Sequence, residues 1–184
     1  MNNTRKEGYI YLVLFGLSIP VANWMIGNVG TFCVPDGPCI IPVGFGLTAP
    51  SGVLVVGLAF VLRDLVQRRL GTLWAVAAIV VGAALSALLA PTALVVASGV
   101  AFLISELADF AVYTPLQRKR LILAVFASSF VGLIIDSIAF LYLAFGSLDF
   151  LSGQVVGKTW MVLVALPFIW WLRQADAKKG IQPA

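Results

Sequence analysis

Long apolar stretches separated by short polar connections make up almost the whole chain. The hydrocarbon core of a bilayer is about 30 Å thick and is crossed by roughly 20 residues of α-helix. Six stretches have this length, and each is predicted to form a transmembrane helix: residues 8–27, 47–66, 73–90, 92–112, 121–145 and 155–172. The pattern therefore predicts an all-α integral membrane protein, folded as a single six-helix domain over residues 1–184.

Three prolines bear on these predicted spans. Pro91 follows the third span, and because proline cannot continue a helix we expect a tight turn there rather than one long helix. Pro20 and Pro167 fall inside the first and sixth spans. Membrane helices tolerate proline where neighbouring groups satisfy the freed backbone atoms. The prolines therefore leave the predicted count of six spans unchanged.

The composition agrees with a membrane protein and narrows the chemistry. Of the 184 residues, 61% are hydrophobic and 11% are charged, whereas soluble proteins carry about 25% charged residues. The chain has no histidine, the residue that most often serves as general base or metal ligand. We therefore expect no enzymatic activity, no catalytic or metal-binding residue, no cofactor and no nucleic-acid partner. The lipid bilayer is the first partner that the composition predicts.

The basic residues are distributed unevenly over the predicted topology. Eleven of the twelve lie on one side of the membrane: Arg5, Lys6, Arg63, Arg68, Arg69, Arg118, Lys119, Arg120, Arg173, Lys178 and Lys179. Because positively charged loops stay in the cytoplasm, both termini and the two basic loops are predicted to be cytoplasmic. The tryptophans lie near span ends, as an aromatic belt would, with cavity lining as the alternative for Trp24. We expect a multi-pass protein of the inner (plasma) membrane.

The longest connection lies between the first two predicted helices, on the outer side. Cys33 and Cys39 bracket the turn-forming sequence Pro35-Asp36-Gly37. Outside the cytoplasm two cysteines that close so short a loop can form a disulfide, and the alternative is that both are small, reduced core residues. The rest of this connection is too apolar for a free loop, so we expect it to fold back over the helices as a cap or partial lid.

Several charged residues fall inside or close to the apolar spans. A charge at the bilayer centre costs about 2.5–3.5 kcal/mol, so it is expected to face a partner or a cavity. Arg63 and Asp64 lie at the predicted cytoplasmic end of the second helix, where a structural pair is expected. Asp136 and Lys158 are expected to pair across the fifth and sixth helices. The alternative for Lys158 is that its side chain extends to the outer interface.

Glu106 and Asp109 form the most unusual pair of charges, three residues apart on one face of the fourth predicted helix. No basic residue lies on that helix between positions 92 and 112 to neutralise them. Further residues extend this face or form a similar one: Ser98, Phe102 and Tyr113 on the fourth helix, Ser129, Gly132, Asp136 and Phe140 on the fifth, and Asn23 on the first. Two such faces predict a pocket in which Glu106 and Asp109 project into a central cavity.

The predicted pocket has carboxylate acceptors, aromatic walls, a glycine gap and no arginine. It suits a flat ligand with N–H donors, or a cation, and it would repel an anion. A guanine-like edge presents two adjacent donors, which one carboxylate can accept together. The alternative is that these polar residues only hold packed helices together.

Four stretches of the chain resemble the queuosine precursor transporters, also called the vitamin-uptake-transporter-like family. "APSGVLVVGLAFVLRDL" is similar to the family's second helix, which ends in an aspartate before leucine, here Asp64. "ASGVAFLISELADFAVYTPLQRKR" resembles the fourth helix, where an amide or acid precedes an aspartate by three residues, here Glu106 and Asp109. "ASSFVGLIIDSIAFLYLAF" and "GKTWMVLVALP" resemble the fifth and sixth helices, with Ser128, Ser129, Asp136, Ser137 and Lys158 at the matching positions.

This resemblance implies uptake of 7-deazaguanines, the cyano and aminomethyl precursors of the tRNA modification queuosine. A small purine-like molecule is thus the expected partner, and a homo-oligomer is left open. The pocket and the resemblance together give the residues expected to bind substrate: Asn23, Phe102, Glu106, Asp109, Ser129, Asp136 and Lys158.

Two other functions compete with this interpretation. The substrate-binding subunit of an energy-coupling-factor vitamin importer has a similar length and six helices, but it works with a partner ATPase complex. Its docking face of small residues on the first helix has only a poor counterpart here, Ser18 and Ala22. An intramembrane hydrolase with two aspartates would need both carboxylates at one depth beside water, whereas Asp109 and Asp136 are predicted to lie in opposite halves of the membrane.

Overall fold

The computed structural model describes residues 3–35, 37–90 and 94–181, and within these ranges the chain forms six α-helices and three short strands. The helices are α1 (Asn3–Asn28), α2 (Val53–Leu70), α3 (Thr72–Leu89), α4 (Val95–Leu116), α5 (Leu121–Phe145) and α6 (Leu151–Lys179). The strands β1 (Phe32–Cys33), β2 (Cys39–Gly44) and β3 (Leu47–Pro50) all lie between α1 and α2. The predominantly helical fold is as predicted, and the small sheet is an addition.

Five of the helices in the described ranges are long and apolar enough to cross a membrane, namely α1, α3, α4, α5 and α6. The chain is therefore a multi-pass membrane protein. α2 has 18 residues, as many as α3, but it carries four charged residues. Its residues 59–69 are all buried, so the other helices surround this part of α2. A helix enclosed in this way does not need a lipid-compatible surface, which explains how α2 accommodates its charges.

The start of α2 differs from the prediction. Residues 47–66 were expected to form one helix, but Leu47–Pro50 pairs with β2 as an antiparallel strand, and the helix runs from Val53 to Leu70. Pairing with β2 satisfies the backbone groups of an apolar segment that hydropathy alone cannot distinguish from helix. Because α2 is shifted along the chain, Arg63 and Asp64 lie about two turns before its end instead of at the interface.

The other predicted spans agree with the structure to within a few residues at most ends. The largest differences are in α1, which begins at Asn3, and in α6, which extends from Leu151 to Lys179. Pro20 and Pro167 lie inside these two helices, as predicted. The turn predicted at Pro91 and the predicted start of the fourth span at position 92 lie outside the described residues.

The three strands form one antiparallel sheet in the order β1-β2-β3. Cys33 and Cys39 are cross-strand partners and form a disulfide, while Asp36 of the intervening turn lies outside the described residues. The sheet packs on the helices, since the Trp160 indole N–H of α6 donates to the carbonyl oxygen of Val43 at 2.9 Å. The expectation that this connection folds back over the helices is therefore confirmed.

Glycines bring α2 and α6 into close contact. A Cβ atom on Gly57 of α2 would lie 2.8 Å from the Cα atom of Lys158 on α6. From the opposite side, a Cβ atom on Gly157 would lie 2.7 Å from a methyl group of Val53. Small residues of this kind let the backbones of membrane helices approach each other. This crossing fixes the position from which the Lys158 side chain extends.

Candidate functional site

A cavity lies among the helices in the half of the bundle that carries the sheet. It contains about 720 Å³ of empty space, counted with the open solvent at its mouth. Residues next to the sheet, such as Pro50 and Val53, line it near that end of the bundle, and Phe60 and Glu106 line it further inside. All six helices line the cavity, and α2 contributes only apolar residues. The polar lining residues come from the other five helices: Ser18, Asn23, Ser86, Ser98, Ser105, Glu106, Asp136, Gln154 and Lys158.

One wall of the cavity carries an ion pair between α5 and α6. The Lys158 ammonium donates to Asp136 Oδ2 at 2.6 Å and is also hydrogen-bonded to Ser137 Oγ at 2.8 Å and Gln154 Oε1 at 2.7 Å. Lys158 is only 2% exposed, so its side chain does not extend to the interface. Three acceptors satisfy its three N–H groups. The structure thus contains the pair that the sequence predicted, and it leaves Lys158 without a free donor.

The remaining walls are largely apolar and include the rings of Phe60, Phe102 and Phe140. Glycines make room for two of these rings. A Cβ atom on Gly82 would lie 2.8 Å from the Phe102 ring, and one on Gly132 would lie 2.8 Å from the Phe60 ring. The gap expected at Gly132 is therefore filled by Phe60 and is not left open for a ligand.

Glu106 lies at the inner end of the cavity, where it also contacts a buried charge cluster. Its Oε2 atom accepts a hydrogen bond from Arg63 Nε at 3.1 Å. Within the described chain, no donor is hydrogen-bonded to its other oxygen, Oε1. The side chain is almost completely buried, and it both lines the cavity and contacts the Arg63 cluster. Glu106 therefore has one oxygen bound by the protein and one without a hydrogen-bond partner among the described residues.

The Arg63 cluster consists of one guanidinium group and the three carboxyl groups around it. Arg63 contacts Asp64 at 3.0 Å and Glu106 at 3.1 Å, and it is hydrogen-bonded to Asp109. Phe110 and Tyr113 pack their rings within 6 Å of the same guanidinium, at 5.8 and 5.7 Å from their centroids. All of these charged side chains are buried. If all three carboxyl groups are ionised, the cluster has a net negative charge next to the cavity.

The structure brings five of the seven predicted binding residues to the cavity and leaves two outside. Asn23, Phe102, Glu106, Asp136 and Lys158 line it. Asp109 and Ser129, which are both within the described ranges, do not. Asp109 is turned toward Arg63 instead, because a buried carboxylate gains more from a guanidinium partner than from an apolar cavity wall. Ser129 is fully buried between helices.

The expectation that Glu106 and Asp109 lack a basic partner was wrong, whereas no arginine is among the described residues that line the cavity. Arg63 neutralises part of the charge of Glu106 and Asp109, and it comes from α2 rather than from their own helix. Arg63 was expected at the membrane interface because the predicted second helix ended at residue 66, four residues before the observed end at Leu70. The signal that was available is Arg63 itself, since the second and third carboxylates, Glu106 and Asp109 on a neighbouring span, require a cation at the same depth.

A second group of charges closes the opposite end of the bundle. Arg68 donates to Asp176 twice, at 3.0 and 2.6 Å. Arg69 donates to Asp176 at 2.8 Å and pairs with Glu7 at 3.0 Å. These contacts connect α2 with α6 and α1 at the end away from the sheet. The two aspartates that an intramembrane hydrolase would use, Asp109 and Asp136, are not in this group, and each is bound to a separate cation.

Comparison with known families gives one match. Residues 86–172 match the model of a family described as "Putative vitamin uptake transporter". The matched stretch contains Glu106, Asp109, Asp136 and Lys158, and it ends before the distal part of α6. No curated protein and no solved structure matches the chain. The family match confirms, over residues 86–172, the resemblance to the vitamin-uptake-transporter-like family that the sequence motifs indicated.

Proposed function

We propose that this protein imports 7-deazaguanines, the 7-cyano and 7-aminomethyl precursors of queuosine, across the inner (plasma) membrane. The observation that carries the proposal is the position of Glu106, which lines the inner end of the cavity and has one carboxylate oxygen bound to Arg63. We infer that its other oxygen accepts from the substrate. The family match supports transport of a small organic molecule, and the motif resemblance supports this substrate class.

The hydrogen-bonding groups of the cavity suit the edge of a guanine-like ring. Such an edge presents adjacent N–H donors, and a carboxylate accepts them by charge-assisted hydrogen bonds, each worth about 1.5–3 kcal/mol. The Arg63 contact limits the rotation of Glu106, so less side-chain freedom is lost on binding. Asn23 lines the same cavity, and one N–H of its amide donates to the Ile19 carbonyl oxygen at 3.0 Å. Its second N–H and its amide oxygen remain as a further donor and acceptor.

The apolar walls suit the faces of a flat heterocycle. Phe102 and Phe140 line the cavity from α4 and α5. Aromatic side chains stack on planar rings in offset or edge-to-face arrangements, which contribute about 0.5–1.5 kcal/mol beyond the buried area. A ligand with two large apolar faces and one polar edge uses both properties of the cavity.

The charge balance favours a neutral or cationic ligand. Lys158 is neutralised by Asp136, while a single guanidinium is shared by the three carboxyl groups of the Arg63 cluster. With all three carboxyl groups ionised, a protonated aminomethyl group would offset the remaining negative charge, and a cyano group would leave it unchanged. We therefore expect the aminomethyl compound to depend more strongly on Glu106.

The proposed topology has six spanning helices, which are the five apolar helices and the enclosed helix α2. Both termini then lie in the cytoplasm. The positive-inside rule supports this orientation. The cavity and the sheet then lie in the outer half of the membrane, on the side from which an importer receives its substrate. The contacts of Arg68 and Arg69 with Asp176 then close the cytoplasmic side.

The function is tested by uptake of both labelled 7-deazaguanines into cells that cannot synthesise them, with and without this chain. We expect accumulation, and queuosine in the tRNA, only when the chain is present. Reconstitution of the purified chain alone in proteoliposomes separates this proposal from an energy-coupling-factor subunit, because the latter would not transport without its ATPase partner. No uptake of either compound in cells that produce the folded chain would contradict the proposal.

A further inference from the structure

A second cavity lies on the surface between α5 and α6, at the end of the bundle away from the sheet. It is a groove with about 690 Å³ of empty space, counted with the open solvent around it. Its lining divides into a basic rim and an apolar wall: Lys119, Arg120 and Arg173 form the rim, and Ile122, Leu123, Phe126 and Leu166 form the wall. It shares no lining residue with the proposed substrate cavity.

The basic rim has no negative partner within the protein. Lys119, Arg120 and Arg173 are exposed, and in the part of the chain that the structure describes none of them forms an ion pair. The lining of the groove contains no carboxylate. The nearby acid Asp176 is already bound to Arg68 and Arg69. Three cations around one groove create a positive potential that favours an anion there.

The backbone adds to this positive potential. α5 begins at Leu121, and no side chain caps its N-terminus. The first intrahelical bond that enters α5 runs from the Ala124 N–H to the Arg120 carbonyl oxygen at 2.8 Å. Free N–H groups at a helix start carry partial positive charge and attract anions. Ile122 and Leu123 of this first turn line the groove itself.

The apolar wall continues from the rim along the lipid-facing side of α5. Leu123 and Phe130 are 44% and 38% exposed, and the rings of Phe126 and Phe130 stack at 5.9 Å. These residues lie in a helix that is apolar enough to cross the membrane. A soluble anion would make no use of this surface, whereas an acyl chain would pack along it.

We propose that this groove binds one anionic phospholipid, with its phosphate among Lys119, Arg120 and Arg173 and an acyl chain along Phe126 and Leu166. Basic pockets between membrane helices at the cytoplasmic face are suited to anionic headgroups, and each lysine or arginine near such a headgroup strengthens binding. The site does not depend on the substrate proposed above, and its failure would leave the transport proposal unchanged.

The test is lipid binding to the purified protein in detergent, followed by native mass spectrometry with phosphatidylglycerol or phosphatidylcholine. We expect retention of phosphatidylglycerol over phosphatidylcholine by the wild-type chain. The combined changes Lys119→Gln, Arg120→Gln and Arg173→Gln should weaken phosphatidylglycerol binding by on the order of 100-fold. The matched control is Arg118→Gln, Lys178→Gln and Lys179→Gln, which removes the same charge from the same end of the protein but outside the groove.

Three outcomes would overturn the proposal. Equal losses in the two triple variants would show diffuse attraction to the basic surface instead of a site. Equal retention of the two lipids by the wild-type chain would show that the headgroup charge is not recognised. Release of bound phosphatidylglycerol by millimolar inorganic phosphate would show that the rim binds a free anion and that the apolar wall contributes nothing. All substituted residues are exposed, and an unchanged elution profile verifies folding.

Discussion

Arg63 on α2 donates a hydrogen bond from Nε to Oε2 of Glu106 on α4 at 3.1 Å, across 43 positions of the chain. The contact places a carboxylate at the boundary between the cavity and a buried charge cluster. Glu106 is therefore a structural partner of Arg63 that also lines the cavity, where we propose that it accepts from a ligand. A substitution in the Arg63 cluster is therefore expected to alter the position of the Glu106 side chain in the cavity.

Removal of the Arg63 guanidinium should destabilise the protein severely. Arg63→Met leaves Asp64, Glu106 and Asp109 buried without their cation, and loss of one partner from a buried ion pair costs about 3–5 kcal/mol. Arg63→Lys retains the charge but loses the planar arrangement of donors, so we expect an intermediate loss. Thermal unfolding in detergent measures both. A melting temperature for Arg63→Met equal to that of the exposed control Arg118→Met would show that the cluster does not contribute to stability.

The Asp136–Lys158 pair predicts that the losses of stability caused by substituting the two residues are not additive. Asp136→Asn and Lys158→Met each leave an uncompensated charge, while the double variant leaves none. We expect each single variant to melt at a lower temperature than the double variant. A double-mutant cycle measures the coupling. Additive losses would mean that the two side chains do not interact in the folded protein.

The α2–α6 crossing predicts that Gly57→Ala is destabilising, although alanine is the better helix former. The new Cβ atom would lie 2.8 Å from the Cα atom of Lys158, and because this neighbour is backbone, the helices must separate. Such overpacking costs about 1–3 kcal/mol.

Gly16→Ala on α1 is the matched control, because a Cβ atom there meets nothing within 4 Å. It should be neutral, or stabilising by about 0.5–1 kcal/mol. Unfolding of both variants in denaturant compares them directly. Equal stability of the two would contradict the close approach of α2 and α6.

The proposed topology predicts which engineered thiols are accessible. Cys33 and Cys39 are the only cysteines of the chain and form a disulfide, so the native chain should remain unmodified by an impermeant maleimide unless it is first reduced. In a Cys33→Ser/Cys39→Ser background, Lys119→Cys should react only after the membrane is permeabilised. Reaction of Lys119→Cys in intact cells would reverse the proposed orientation.

The sequence predicted most of the helices because a span of about 20 apolar residues has few alternatives in a bilayer. It failed at the start of α2, where the uncharged segment Leu47–Pro50 continues into the apolar helix along the chain but pairs with β2. Hydropathy reports burial and does not report which backbone groups will pair. Leu47–Pro50 is identified as a strand only by its pairing with Cys39–Gly44, which the sequence alone does not reveal.

Of the candidate site, one ion pair was predictable from the sequence and the Arg63 cluster was not. The pairing of Asp136 with Lys158 followed from the expected depth of two charges in consecutive helices. The pairing of Arg63 with Glu106 and Asp109 did not, because the predicted helix ended at residue 66 instead of Leu70, which moved Arg63 to the interface. The direction of Asp109 depends on this partner, so it was also missed.

The most direct measurement of the central claim is the uptake of 7-aminomethyl- and 7-cyano-7-deazaguanine by Glu106→Gln, compared with the wild-type chain. Glutamine retains the shape and one acceptor oxygen but loses the charge, so loss of a charge-assisted bond should weaken uptake of the aminomethyl compound by roughly 10- to 100-fold and that of the cyano compound less. Asp149→Asn, which changes an exposed acid outside the cavity, is the control and should transport both normally. Wild-type uptake of both compounds by a correctly folded Glu106→Gln variant would contradict the account.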